Sequence, residues 1–246
     1  MNEPVPTKDW AEDLVLELAQ GERGVRLLGG RAVRYHVLGK VPDTLVRSPG
    51  DVDLFTVSEH RRDVQQWLES MGLRPEKEFN LLNGRSRLMY WRGKEKIDVF
   101  IDEFRMCHAL DLRGRLPVQE VTLPVADLML TKLQVVEFTE KDMLDVLALL
   151  SGVPFSDRDE PGAFNTRFFA DTLARDWGLW RTVTRNLDVL LERLQDFVVE
   201  ASLQLEMEER IRRLTEVVER TPKTMKWKWR AAVGERLKWY ELPEEP

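Results

Sequence analysis

The sequence predicts an α+β (α/β) protein, in which a small mixed β-sheet with flanking helices is followed by a helical C-terminal region. Two observations predict this class. Strand-like runs alternate with helical periodicity in the first half of the chain, and strand signals nearly vanish from Pro124 onward. We therefore expect an α/β core over residues 1–120 and a helical region over residues 121–246 that completes a cleft.

The individual elements follow from the spacing of apolar residues and from the turn residues between them. Strands are predicted over residues 25–28, 51–57, 79–82, 87–91 and 96–102, and helices over residues 8–20, 31–38, 59–71, 124–138 and 140–150. Asn83-Gly84 is typical of a hairpin turn between two of the strands, and Gly93 indicates a second turn. Residues 151–162 are expected to form a surface loop.

Composition excludes several classes of protein. The formal net charge of −6 does not suit a protein that coats nucleic acid through its overall field. Cys107 is the single cysteine, which excludes an intrachain disulfide and cysteine-rich zinc sites, and we expect it to be structural. The first ten residues lack the features of a signal peptide, and no apolar run approaches the ~20 residues that span a bilayer. A cytoplasmic protein without a membrane partner is therefore expected.

Three carboxylates are the strongest candidates for a functional site. Asp51 and Asp53 are two residues apart on a predicted strand, so their side chains share one face of it. Asp98 lies between Ile97 and Val99 on a second predicted strand. If the two strands are neighbours, the carboxylates converge, and their repulsion calls for a hard divalent cation, Mg²⁺ or Mn²⁺. The alternative is a solvated polar face, although Asp is disfavoured inside strands.

Two further features bear on this site. Asp102 lies on the same strand face as Asp98 and rivals it, but Asp98 is preferred because it is in mid-strand. Gly29 and Gly30 stand at a predicted strand-to-helix turn, where glycine lets the backbone approach a phosphate group. The alternative for these two residues is a plain tight turn.

Together these motifs resemble the DNA polymerase β-type nucleotidyltransferase superfamily. The resemblance rests on Gly29-Gly30, a following helix, Gly50-Asp51-Val52-Asp53-Leu54, and the later strand acid in Ile97-Asp98-Val99. It is closer to the minimal bacterial branch that includes AbiEii-type toxins, because Ala32 continues the glycine turn and Arg47 precedes the acidic pair. A second stretch, in which Lys132 precedes Lys141-Asp142 and Asp145, also matches that branch. The resemblance covers roughly residues 25–150.

The resemblance implies an enzyme that moves a nucleoside monophosphate from an NTP to an unidentified acceptor, which could be a small molecule, RNA or a protein. Asp51, Asp53 and Asp98 would be the catalytic residues and would hold Mg²⁺ or Mn²⁺. Gly29, Gly30, Arg47 and Lys132 would contact phosphate, and Asp142 or Asp145 would organise the nucleotide side of the cleft. The rival hypothesis is a non-catalytic nucleotide-binding or interaction protein of the same fold, such as half of a toxin–antitoxin pair.

Lys132 also has a purely structural interpretation. It lies on an otherwise apolar predicted helix, where an unpaired ammonium group would be costly to bury. It therefore needs an anion, which could be a nucleotide phosphate, Asp142 or Asp145. The sequence leaves these alternatives open.

Residues 223–239 interleave Lys and Arg with Trp227, Trp229 and Trp239. Such a segment can bind RNA by stacking bases on the aromatic rings. It can equally be a helix whose tryptophans pack on the core while its lysines extend to solvent, and we favour this packing interpretation. For His36, we likewise favour a capping or packing role.

Overall fold

A mixed β-sheet forms the centre of the first half of the protein. The computed structural model describes Leu14, Glu17, Leu18, residues 24–119 and residues 121–242. In this part of the chain, the largest sheet has five strands in the order β1-β2-β5-β4-β3. Strands β2 and β5 are parallel, and the other neighbouring pairs are antiparallel. The strands are β1 (Val25–Leu28), β2 (Val52–Thr56), β3 (Arg74–Pro75), β4 (Arg87–Arg92) and β5 (Glu95–Ile101).

Helices surround this sheet and dominate the second half. Those of the first half are α1 (Gly29–Val37), α2 (Arg61–Ser70) and α3 (Lys77–Asn83). After two short strands, β6 (Glu103–Arg105) and β7 (Ala109–Asp111), come α4 (Val125–Leu133) and α5 (Glu140–Gly152). The later elements are β8 (Phe155–Ser156), β9 (Phe164–Asn165), α6 (Thr166–Leu173), α7 (Trp177–Glu192), α8 (Leu194–Phe197), α9 (Ala201–Arg220) and α10 (Met225–Val233). The predicted fold class is thus confirmed.

The hydrophobic core is continuous across residue 120. Strand residues such as Leu54 and Val99 belong to the same buried cluster as Leu128 of α4 and Leu147 of α5. The chain after residue 120 also extends the sheet, because the Leu27 amide donates to the Val121 carbonyl at 2.8 Å and the Leu123 amide donates to the Leu27 carbonyl at 2.9 Å. The helical region therefore shares one core with the sheet.

The prediction of a strand over residues 79–82 is wrong, because these residues belong to α3. The Asn80 side chain pairs with the backbone of Met89 in β4, accepting from its amide at 2.7 Å and donating to its carbonyl at 3.1 Å. Leu81 and Leu82 are left exposed, so no apolar strand face is formed. Gly84 ends the helix, and the β4–β5 hairpin turns instead at Gly93, whose φ is +61°.

Other predicted boundaries differ from the structure by a few residues. Strand β2 begins at Val52, so Asp51 immediately precedes it, and α1 begins at Gly29. Most of the helix predicted over residues 8–20 lies outside the described residues, although Leu14 and Leu18 are described as helical and buried.

The packing interpretation of the C-terminal tryptophans holds for only two of them. The Trp227 ring meets the Trp180 ring edge-on at 5.0 Å, and the Trp239 indole donates to the Thr182 hydroxyl at 3.2 Å. Trp229 is instead 72 % exposed, and α10 has no fully buried residue. Packing on the core therefore does not explain the whole segment.

Candidate functional site

The parallel pairing of β2 and β5 brings two of the predicted carboxylates together. In the register of these strands Asp53 lies directly opposite Asp98. Residues that face each other in register project from the same side of a sheet. The sequence left open whether these two strands are neighbours; in the structure they are, and the two carboxylates share one face of the sheet.

Asp53 is half-buried and has no direct ionic partner among the described residues. Among the described residues, no cation lies within salt-bridge distance of its carboxylate and no hydrogen bond reaches it. Burial raises the pKa of Asp53 to about 6, and the charges of Asp98 and Asp51 add to this effect while Lys132 and Arg87 oppose it. Asp53 is therefore a carboxylate whose negative charge is poorly compensated by the protein itself.

Gly29 and Gly30 make room for two side chains of the site. Gly29 has a φ of +68°, and a Cβ atom on it would lie 2.0 Å from Oδ2 of Asp53. A Cβ atom on Gly30 would lie 2.2 Å from a guanidinium nitrogen of Arg47. The glycine turn at the start of α1 thus allows Asp53 and Arg47 to approach the backbone, a role that the sequence did not reveal.

Arg47 and Lys132 meet at a shared carboxylate. Arg47 donates two hydrogen bonds to Asp145, at 2.7 and 2.6 Å, and Lys132 Nζ lies 2.8 Å from Asp145 Oδ2. The Asp145 side chain is only 2 % exposed. The two cations that the resemblance assigns to phosphate binding are therefore both paired with one buried carboxylate. This pairing is what the structural interpretation of Lys132 predicts.

Asp142 and Asp145, which the sequence could not separate, have different positions. The Asp142 carboxylate accepts from the Thr139 hydroxyl at 2.6 Å, and the two residues form a capping box at the start of α5. Its other oxygen lies 3.6 Å from Lys132 Nζ. Asp145 is therefore central to the cluster, and Asp142 lies at its edge with a capping role.

Two cations that sequence reasoning missed neutralise Asp98. Arg87 donates to Asp98 Oδ1 at 2.9 Å, and Lys96 Nζ lies 3.1 Å from Asp98 Oδ2. The Arg87 guanidinium also lies over the Phe100 ring, 5.0 Å from its centroid. Lys96 could have been found, because it is two residues before Asp98 and shares its strand face. Arg87 could not, because its position depends on the β4–β5 register.

The two remaining acids lie at the ends of the strands. Asp51 is exposed just before β2, and its charge acts on Asp53. Asp102 follows β5 with a φ of +64°, and its carboxylate accepts from the Ser58 amide at 2.8 Å. Asp102 thus has a role in a turn, and the preference for Asp98 agrees with the register.

The complete cluster combines nearly balanced charges. Its five carboxylates are Asp51, Asp53, Asp98, Asp142 and Asp145, and its four cations are Arg47, Arg87, Lys96 and Lys132. If all are charged, the cluster carries one net negative charge. No group of three His, Cys, Asp or Glu side chains among the described residues is arranged to hold a metal ion. Arg87 and Lys96 contact the two oxygens of Asp98, so this carboxylate is not free to bind a metal ion together with Asp51 and Asp53.

Comparison with known proteins provides no family assignment: no family model and no curated protein matches this chain. None of the helices in the described part of the chain combines the length and apolar character needed to cross a bilayer.

Proposed function

We propose that this protein is a metal-dependent nucleotidyltransferase that moves a nucleoside monophosphate from an NTP to an acceptor hydroxyl. The observation that carries the proposal is the in-register pair of Asp53 and Asp98, which stands beside the glycine turn and within electrostatic reach of Lys132. Carboxylates near one another, with cations close by, suit a polyphosphate bound through a divalent cation.

Asp51 and Asp53 are the residues that would hold Mg²⁺ or Mn²⁺. Their carboxylates are not engaged by any described cation at salt-bridge distance, and oxygen ligands are those that these ions prefer. A bound cation would supply charge neutralisation of the triphosphate. Asp98 does not fit as a third ligand while Arg87 and Lys96 occupy its two oxygens.

The protein's own side chains would orient and neutralise the substrate. Lys132 and Arg47 both bind Asp145, so a phosphate group could recruit either cation while the other keeps Asp145 paired.

Asp98 could accept the proton of an acceptor hydroxyl only after Arg87 or Lys96 has moved away from one of its two oxygens. Lys96 is the contact that can leave with least cost, because it reaches Asp98 through a single nitrogen at 3.1 Å. Arg87 reaches the other oxygen through two nitrogens at 2.9 Å and also lies over the Phe100 ring.

The test is calorimetric titration of each NTP, with Mg²⁺ or Mn²⁺, into the wild type and into Asp53→Asn, with pyrophosphate release followed in parallel. We expect the wild type to bind an NTP only with the metal and to release pyrophosphate, and Asp53→Asn to lose both properties. Asp188→Asn is the matched control, because Asp188 is an exposed aspartate of α7 outside the site.

The proposal fails if Asp53→Asn releases pyrophosphate at the wild-type rate, or if neither protein binds any NTP. A folded Asp53→Asn variant, established by its circular dichroism spectrum, is required for the first comparison. Candidate acceptors, including RNA, can then be supplied to the active wild type.

One observation favours a second function, a nucleotide-binding or interaction protein without catalysis, such as half of a toxin–antitoxin pair. Asp98 and Asp145 are already neutralised by protein cations, so these two carboxylates need no ligand to compensate their charge. NTP binding without pyrophosphate release, retained in Lys96→Met, would support this alternative. Release that increases in Lys96→Met would instead support the enzyme, because that substitution frees one oxygen of Asp98.

A further inference from the structure

A second candidate site lies in the helical half of the protein, apart from the carboxylate cluster. An open cavity of about 590 Å³ is bounded by the β6–β7 hairpin, the start of α7, α10 and the segment over residues 238–241. None of the residues of the carboxylate cluster lines it. Five residues of the Trp- and Lys-rich segment line the cavity, namely Lys226, Trp227, Arg230, Lys238 and Trp239.

Positive charge is concentrated in this cavity. Its lining contains five basic residues, Arg105, Arg175, Lys226, Arg230 and Lys238, but only two acidic ones, Asp176 and Glu241. The lining thus carries an excess of three positive charges, although the chain as a whole has a net charge of −6. A local concentration of positive charge in an acidic protein indicates an anionic ligand.

Four of these five cations are without a protein counterion in the described part of the chain, and one of the four, Arg230, donates instead to the carbonyls of Gly234 and Leu237. Arg175, Lys226 and Lys238 are exposed, and no described carboxylate lies within salt-bridge distance of any of them. The two acidic side chains of the lining have other partners. Asp176 accepts from the Leu179 amide at the start of α7, and Glu241 lies 3.6 Å from Arg105.

Aromatic rings stand among these cations. Trp177 and Trp239 meet edge-on with centroids 6.0 Å apart, and Tyr240 meets Trp239 at 5.3 Å. The Arg230 guanidinium lies 4.6 Å from the centre of the Trp177 ring, and Lys238 lies 5.2 Å from that of Tyr240. Cations interleaved with aromatic rings suit a ligand that is both planar and anionic.

The cavity is also built by specific contacts. The Glu241 amide donates to the Cys107 carbonyl at 3.0 Å, and the Trp239 indole donates to Thr182. Gly178 allows the last segment to cross α7, because a Cβ atom on it would lie 2.8 Å from the Trp239 carbonyl oxygen. The C-terminal segment is thus fixed against both α7 and the hairpin, which preorganises the wall of the cavity.

We propose that this cavity binds a nucleotide unit, an aromatic base carrying a phosphate group, supplied either by a free mononucleotide or by a single-stranded nucleic acid. The rings would contact the base, and Arg175, Lys226 and Lys238 would contact phosphate. The proposal is independent of nucleotidyl transfer, because it requires only that a nucleotide unit binds in a cavity outside the carboxylate cluster.

The test measures binding by fluorescence anisotropy in the full-length Asp53→Asn protein with a chelator present, so that the carboxylate site cannot contribute through a metal. The probes are labelled oligo(A) and oligo(U) of about eight nucleotides, a length within the range that single-strand sites cover. Unlabelled AMP and UMP compete in a second arm. Competition by the mononucleotides identifies a free nucleotide as a sufficient ligand, and its failure identifies the single strand.

Matched variants locate the binding. Lys226→Gln should weaken it, whereas Lys228→Gln, on the same helix but outside the lining, should not. Tyr240→Leu should weaken it about fivefold or more through loss of stacking, whereas Trp229→Leu should leave it unchanged. For a single strand that contacts all three cations, log K should fall against log salt with a slope of about −2, reduced by about 0.7 in Lys226→Gln.

The proposal is overturned if the Asp53→Asn protein binds none of these probes in low salt. It is equally overturned if Lys226→Gln and Lys228→Gln have the same affinity and salt slope, because binding would then lie elsewhere. Neither result would bear on nucleotidyl transfer, which is tested by pyrophosphate release with a metal present.

Discussion

Replacing Gly29 with alanine tests whether the glycine turn exists to admit Asp53. Two costs are expected. A left-handed φ of +68° is unfavourable for any residue with a Cβ atom, by about 1–2 kcal/mol. The new Cβ atom would also lie 2.0 Å from Asp53 Oδ2, so the carboxylate must move, and such overpacking costs about 1–3 kcal/mol more.

Gly39 provides a control that separates the two costs. Its φ is +73°, but a Cβ atom on it would meet nothing within 4 Å. Gly39→Ala therefore carries the backbone strain without the clash. We expect Gly29→Ala to lower the free energy of unfolding by about 1–3 kcal/mol more than Gly39→Ala does.

The assay is urea unfolding followed by circular dichroism, supplemented by a double-mutant cycle. With a slope of about 3 kcal/mol/M, the additional loss moves the midpoint by about 0.3–1 M. An Asp53→Ala background removes the two closest atoms and leaves only the Cβ contact at 3.1 Å, so the difference between Gly29→Ala and Gly39→Ala should become much smaller there. Equal midpoints for Gly29→Ala and Gly39→Ala in the wild-type background would refute the reasoning.

Three further predictions concern charge and burial. The folded pKa of Asp53, about 6, exceeds its ordinary value of 3.8, so its charge destabilises the metal-free fold increasingly as pH rises from 4 to 6. Asp53→Asn should therefore raise the free energy of unfolding by about 1–3 kcal/mol at pH 7 and have little effect at pH 4. A lower free energy of unfolding for this variant at pH 7 would contradict the prediction. The pKa of buried His36 is lowered from 6.5 to about 4 by burial and by Lys40. The free energy of unfolding of the wild type should therefore fall by up to about 3 kcal/mol as pH falls from 6.5 to 4. A His36→Gln variant whose free energy of unfolding depends on pH in the same way would exclude His36 as the cause. Asp145→Asn leaves Arg47 and Lys132 without their shared anion and should lower the free energy of unfolding, measured in urea, by about 3–5 kcal/mol. Asp142→Asn, at the edge of the cluster, should lower it by about 1 kcal/mol. Similar losses for the two variants would show that Asp145 is not the centre of the cluster.

Much of the candidate site could be anticipated because its parts have local signatures. Asp53 and Asp98 interrupt apolar strands, and Gly29 stands where a strand turns into a helix. Such features depend on residues within a few positions of each other, and the alternation of a strand fixes which side chains share a face. The alternating pattern could also have revealed Lys96 beside Asp98.

Local patterns failed where a distant contact decided the structure. Residues 79–82 have the apolar character of a strand, but Asn80 binds the backbone of Met89 and the segment is helical. Trp227 and Trp229 are two positions apart in a segment of one composition, yet one is half-buried against Trp180 and the other is exposed. Propensity is a weak guide when tertiary contacts of this kind compete with it.

The sequence by itself determined the α/β-then-helical order, the two acidic strands and the glycine turn, because these follow from the periodicity and conformational preferences of neighbouring residues. Only the tertiary structure decided that Asp53 faces Asp98, that Arg87 and Lys96 neutralise Asp98, and that Arg47 and Lys132 share Asp145. These contacts join residues of different strands and helices. Strand order and register depend on how all the elements bury their apolar faces together, and no single stretch of sequence carries that information.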